Sequence, residues 1–165
     1  MRYWIGVASK EHVARGVEGG FCQLCHGKAQ PLKRMGLGDW IIYYSPKETF
    51  GGNEACQQFT AIGRVIGEAV YPFEMAPGFI PFRRDIEFLP AQAVNIRPLI
   101  NQLNFIQNKN LWGYGFRFGH IEILREDFEL IAQQMLGQQE FLTSAQAMIS
   151  SLQPSSRPSL QLSFI

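Results

Sequence analysis

Residues 3–20, Tyr3-Trp-Ile-Gly-Val-Ala-Ser-Lys-Glu-His-Val-Ala-Arg-Gly-Val-Glu-Gly-Gly20, set the architecture. Tyr3 to Ala8 is a short apolar run with aromatic and branched side chains, the pattern of a buried strand. Ser9 follows where a helix needs a cap, because its hydroxyl can accept from an amide of the first turn. Residues 10–17 then read as a short helix, ended by Gly19-Gly20. A strand that turns through one capping residue into a helix is the opening of a mixed α/β unit.

Outward from this unit the chain alternates short strands with turns. Residues 21–25, Phe-Cys-Gln-Leu-Cys, suggest another short strand, and Pro31 suits the start of a single helical turn. Asp39 to Ser45 reads as a buried strand stopped by Pro46, and residues 47–56 as a polar, Gly-rich loop. Residues 57–73 are long and β-branched, with Gly63 and Gly67 placed for bends or bulges. Ile80 to Pro90 reads as a further strand. Ile96, Leu99, Ile100 and Leu103 have helical spacing. Residues 111–119 are a turn or a strand. Residues 125–136 make a helix with early acidic residues and Gly137 beyond its end. Residues 138–165, rich in Ser and Gln, read as a partly ordered helix and tail. Strands gather in the first half with helices around them. The expected fold is therefore α+β, a small bent sheet or barrel with helices packed outside.

The 15 Lys and Arg against 14 Asp and Glu leave a net charge of +1, which argues against a protein that coats DNA. No apolar run approaches the roughly 20 residues of a membrane span. The start lacks the pattern of a secretory peptide. A soluble, cytoplasmic protein with no membrane partner is expected. No feature of the sequence sets its oligomeric state.

Within residues 20–28, Cys22-Gln-Leu-Cys25-His26 has the spacing of a c-type haem attachment site. Nothing here directs export, and structural zinc sites show two ligand pairs where this chain has one, with Cys56 alone. No metal or cofactor is expected. Phosphate loops, nucleophile elbows and zinc-protease motifs are absent. Ser9 with His12 reads as a nucleophile and base, or as a helix cap beside a surface histidine. No catalytic set is expected.

Polar residues set in apolar surroundings say more. Gln23 lies between cysteines, and His26 and Lys28 flank Gly27, where the backbone can approach a ligand closely. Tyr43, Tyr44 and Ser45 end a strand, and Phe82, Arg83 and Arg84 begin another. Aromatics with Gln, Ser and backbone groups suit a flat heteroaromatic ligand, and the nearby cations suit phosphate. The competing reading is a packed core beneath a solvated basic face.

Residues 3–48 resemble the opening of the EVE domain, of the PUA-like superfamily. The resemblance is carried by Trp4-Ile5, Ser9, His12-Val13, Gly16, Gly20-Phe21, Gln23, His26-Gly27-Lys28, Leu32, Arg34-Met35, Gly38-Asp39 and Tyr44-Ser45-Pro46. Residues 59–65, 71–86 and 113–123 continue it, to about residue 136. Cys22 and Cys25 fall on variable positions of that pattern. The resemblance implies a PUA-like pseudo-barrel of about five or six strands with flanking helices over 1–137, and a C-terminal extension over 138–165. It implies a non-catalytic module that binds a modified base in DNA or RNA, or a nucleotide. The expected ligand-binding residues are Trp4, Ser9, His12, Phe21, Gln23, His26, Lys28, Tyr44, Ser45, Phe82, Arg83 and Arg84. The alternative is a sensor or enzyme for a small nucleotide-like metabolite, with His12 or His26 as acid or base.

Overall fold

The computed structural model describes residues 1–137 together with Thr143, Gln146 and Ala147. Those three positions apart, the extension expected at 138–165 lies outside the described residues.

Strand β1 (Tyr3–Val7) leads into helix α1 (Lys10–Gly19). Ser9 is the cap: its Oγ accepts from the His12 amide at 3.4 Å. Gly20 closes the helix at φ 70°, a left-handed geometry that glycine adopts freely. Then come β2 (Phe21–Cys22), α2 (Ala29–Arg34), β3 (Trp40–Lys47), β4 (Ala55–Val65), β5 (Tyr71–Pro72), β6 (Phe82–Phe88) and β7 (Val94–Asn95). Short helical turns at Arg97–Leu99, Lys109–Leu111 and Tyr114–Phe118 precede β8 (His120–Ile123) and α3 (Arg125–Leu136). The strands form one curled, half-barrel sheet in the order β2-β6-β4-β3-β1-β8, with β5 beside β6 and β7 beside β4. The expected α+β pseudo-barrel with flanking helices is thus present. β1 pairs parallel with β3 and antiparallel with β8, so α1 and α2 span a crossover. Among the described residues no helix is long and apolar enough to cross a membrane.

The sheet is buried on both faces. Trp40, Ile42 and Tyr44 of β3 join Ile5, Phe128 and Ile131 in one core. Ile41 and Tyr43 join Trp4, Val13, Leu24 and Leu32 in the other. Double burial explains why β3 reads as an unbroken apolar run instead of an alternation. Its partner β4 needs a correction in register. Tyr43 lies opposite Ala61, but Tyr44 lies opposite Phe59, leaving Thr60 as the extra residue of a bulge. Phe59 and Ala61 are two residues apart yet enter opposite cores. In a regular strand they would share one face.

Three local expectations are revised. Pro46 does not stop β3. A second register shift between Ser45 and Lys47 leaves it without a cross-strand partner, so no ladder bond is lost. Residues 96–103 form one short turn, not a longer helix. The buried Asp127 carboxylate accepts from the amides of Asn104 and Phe105 at 2.8 and 2.9 Å, which draws the chain toward α3 instead. The strand expected at 21–25 ends at Cys22, because Cys25 and His26 turn left-handed.

Arg84 of β6 holds α2 onto the sheet. Its Nη1 donates to the Leu32 and Met35 carbonyls at the end of α2, and its Nε donates to the Gly67 carbonyl at 2.9 Å. The side chain is buried, and the helix-end carbonyls it serves have no intrahelical donor. Arg84→Met should strand these acceptors and lower stability by about 3 kcal/mol or more. Arg84→Lys should restore only part of it, since one ammonium cannot reproduce the planar fork. Urea unfolding decides the matter: an unchanged midpoint for Arg84→Met would show the staple to be dispensable.

Candidate functional site

Gly6, near the end of β1, opens a space. A Cβ there would stand 2.6 Å from Leu24 Cδ2 and 3.0 Å from Tyr43 Cε1. Both side chains therefore pack directly over β1. The Tyr43 hydroxyl donates to the Gln23 carbonyl oxygen at 2.9 Å and so fixes residues 23–25 above the sheet. Burial pushes the Tyr43 pKa well up, so the phenol keeps its donor proton.

Beyond Leu24, three successive residues are left-handed: Cys25 (φ 49°), His26 (φ 60°) and Gly27 (φ 81°). The amides of Gly27 and Lys28 both close on the Leu24 carbonyl, at 3.0 and 3.2 Å. Two non-glycine residues in this region cost about 1–2 kcal/mol each. Packing holds them there. A Cβ on Gly27 would lie 2.4 Å from the Pro81 Cβ, and Cys25 Sγ lies against Gly119 and donates to the Phe118 carbonyl at 3.6 Å. Held strain of this kind clusters at ligand sites. The turn carries His26 outward, edge-on to Phe50 at 6.3 Å. From the first turn of α1, His12 stacks on the same Phe50 ring at 5.5 Å and 20°.

These residues border a cleft of about 660 Å³, a size suited to a small organic group. Ser9, His12, Phe21, Gln23 and His26 are brought together along it. Tyr43 lies at its base. Phe50 of the β3–β4 loop, Met75 and Phe79 of the β5–β6 hairpin, and Phe116 and Arg117 complete the border. Gln23 Nε2 reaches the Met75 thioether at 3.3 Å, a weak acceptor that leaves most of the amide's capacity unspent. Sequence reasoning missed Phe50, Met75, Phe79 and Arg117. One signal was available for Phe50, an aromatic ring in an otherwise polar, Gly-rich loop.

Other expected residues lie elsewhere. Trp4 is a core side chain, donating from Nε1 to Asp39 at 2.9 Å and stacked on His120. Strand alternation sends Tyr44 to the opposite core, where it stacks on Phe116 at 3.9 Å. Ser45 is buried, its hydroxyl 2.8 Å from that of Thr60. Phe82 packs half-buried against the core that holds Trp4. Lys28 follows the strained turn and is exposed. Arg83 and Arg84 diverge as neighbours on a strand must. Arg84 serves α2, whereas the Arg83 guanidinium lies between the rings of Phe21 and Phe73, 3.7 Å from each centroid. Cys22 is a core side chain whose thiol burial pushes up to about 12. Among the described residues no group of His, Cys, Asp and Glu could hold a metal ion.

The family model for the EVE domain matches residues 2–134. The UPF0310 protein in the gntR 5' region of Bacillus licheniformis is 54% identical over 128 residues, 78% of this chain and 87% of that protein. YdcG of Bacillus subtilis (strain 168) is 47% identical over 133 residues, 81% of this chain and 91% of that protein. Among solved structures, Rpa0253 of Rhodopseudomonas palustris superposes with a TM-score of 0.52 at 16% identity, covering 81% of this chain and 92% of that one. Atu2648 of Agrobacterium tumefaciens gives 0.51 at 15% identity, with 81% and 92% covered. These two structures share the fold.

His120, on β8, is a buried imidazole, its ring 4.5 Å from that of Trp4. Among the described residues neither ring nitrogen has a hydrogen-bond partner. Burial first, then the charges of Arg34 and Arg2, push its pKa from 6.5 down to about 4. In the unfolded chain it returns to about 6.5. Above that pH neither state is protonated. As pH falls from about 6.5 toward 4, the unfolded chain takes up a proton that the folded chain refuses. Stability therefore falls across that window, by roughly 3 kcal/mol in all. His120→Phe keeps a ring on Trp4 and should flatten that part of the slope. Urea midpoints for both proteins at several pH values from 7 to 4.5 test it; parallel curves would refute the assignment.

Proposed function

Since this chain belongs to the EVE domain family, we propose that it is a non-catalytic module whose cleft takes a modified nucleobase of DNA or RNA. The observation that carries this reading is the stack of His12 on Phe50 in a cleft shared with the underused Gln23 amide. A base is flat, with an aromatic face and a hydrogen-bonding edge. Exposed rings supply stacking, worth about 1–3 kcal/mol per base. An amide offers a donor and an acceptor on one plane, which matches a base edge. A methyl group on the base, buried among Phe79, Met75 and Phe50, would add about 0.8 kcal/mol. Polar contacts then place the base, and the apolar rim sets a modest preference for the modified form.

The state of the candidate nucleophiles supports binding over catalysis. Ser9 Oγ is engaged as a helix cap, and burial raises the Cys25 thiol above its ordinary pKa. A small nucleotide-like metabolite is the second reading, favoured by His12 and His26 meeting at one ring. Strand length separates the two: affinity for a nucleic acid rises from mononucleotide to oligonucleotide and falls with ionic strength, whereas a small metabolite binds without flanking nucleotides.

Titration of paired oligonucleotides, identical except for one methylated base, tests the assignment. Gln23→Ala should weaken both by roughly 5- to 10-fold, the loss of about one hydrogen bond. Phe50→Ala should weaken both further and narrow the gap between them. If both variants match the wild type for both strands, the cleft does not hold the base.

A further inference from the structure

The wall of the cleft formed by Phe116 and Arg117 belongs to the helical turn Tyr114–Phe118. Phe116 anchors this turn, stacked on Tyr44 in the core. Its neighbours two residues away face solvent: Tyr114 is 58% exposed and Phe118 66%. The two rings stand edge to face at 5.9 Å. The Arg117 guanidinium lies 5.6 Å from the Tyr114 centroid and has no ion pair or hydrogen bond among the described residues. From Phe88 to Ile121 the chain has no Asp or Glu, while it carries Arg97, Lys109 and Arg117. Folding does not require two exposed rings beside a free cation on an acid-free stretch. Two exposed rings in contact, with a cation beside them, offer aromatic faces and positive charge to a ligand at one place.

We propose that Tyr114, Phe118 and Arg117 form a stacking platform for nucleotides flanking the base in the cleft, so that the ligand is a single-stranded polynucleotide. The proposal rests on the reading of the cleft as a base site. In a duplex the faces of the bases are stacked against one another, out of reach of exposed rings; in a single strand they are free. Arg117 borders the cleft and contacts Tyr114, so it joins platform to cleft and supplies the positive charge for the intervening phosphate. The segment that carries the platform contributes no acidic side chain of its own to repel phosphate. The modest net charge of +1 is then no obstacle, because stacking carries much of the affinity and a local cation holds the backbone.

Fluorescence anisotropy with a labelled single-stranded DNA 12-mer, alone and annealed to its complement, is the test. The single strand should bind at least roughly tenfold tighter than the duplex. Tyr114→Ala and Phe118→Ala should each weaken it by roughly 5- to 100-fold, and Tyr114→Phe should not. Arg117→Gln should reduce the salt slope by about 0.7, one phosphate contact on a single strand. All of these side chains are exposed, and unchanged thermal melts would confirm intact folding. Duplex bound as tightly as single strand overturns the proposal, as does wild-type affinity in both alanine variants. The two readings fail separately. Binding weakened by Phe50→Ala but not by Tyr114→Ala keeps the cleft and sinks the platform. The reverse pattern keeps the platform and sinks the cleft.

Discussion

The cleft hangs on a missing side chain. Gly6 lies on a strand enclosed between β3 and β8, and a Cβ there would fall within 3.0 Å of both Leu24 and Tyr43. Because it is absent, Tyr43 lies flat over β1 and its hydroxyl reaches the Gln23 carbonyl. That bond sets the height of the segment leading into the left-handed turn. The turn sets where His26 meets Phe50, and Phe50 meets His12. Each link is short and sterically determined, so a change of one methyl group at the sheet is transmitted to the rim. Leu24 could yield at its tip, but its backbone carbonyl is the acceptor on which the turn closes.

A sheet buried on both faces makes such transmission possible. Neither face has a solvent side into which an error could relax, and close-packed interiors respond to single methylenes. The sheet meets this demand with bulges. Thr60 is spent as an unpaired residue so that Phe59 and Ala61 enter different cores. Asp39 meets it at the strand entries. Its carboxylate accepts from the Arg2 amide, the Trp4 indole and the Gly36 amide, at 2.8, 2.9 and 2.8 Å. Burial alone would raise the Asp39 pKa. The Gly36, Trp4 and Arg2 hydrogen bonds, with the Arg2 charge, outweigh it and hold the group below its usual value. One ion thereby ties the start of β1 to the turn before β3, where the parallel pair begins.

Much of this was legible one segment at a time. Ser9 as cap, Gly20 as helix stop, the apolar run of β3 and the helix closed by Gly137 all follow from side-chain chemistry that acts within a few residues. The divergence of Arg83 from Arg84 follows from the two-residue repeat of a strand. Pro46 was misread because a proline stops a strand only where the ladder needs its amide, and a bulge removes that need. The span 96–103 was misread because Asp127, far along the chain, outbids local helix propensity for two amides.

Sequence by itself determined most of the elements, the EVE domain family and five residues of the cleft: Ser9, His12, Phe21, Gln23 and His26. Four of the five lie in or beside the strand–helix unit where local rules are strong, and His26 stands next to a glycine that permits close approach. Tertiary structure alone decided which tyrosine serves the cleft, since a one-residue step along β3 exchanges its faces and gives Tyr43 to the cleft and Tyr44 to the far core. It alone decided that Trp4 and Arg84 are core and staple, because burial depends on what the other strands bring. And it alone brought Phe50, Met75, Phe79 and Arg117 to one border, from loops whose positions are set by sheet order and bulges that no local pattern encodes.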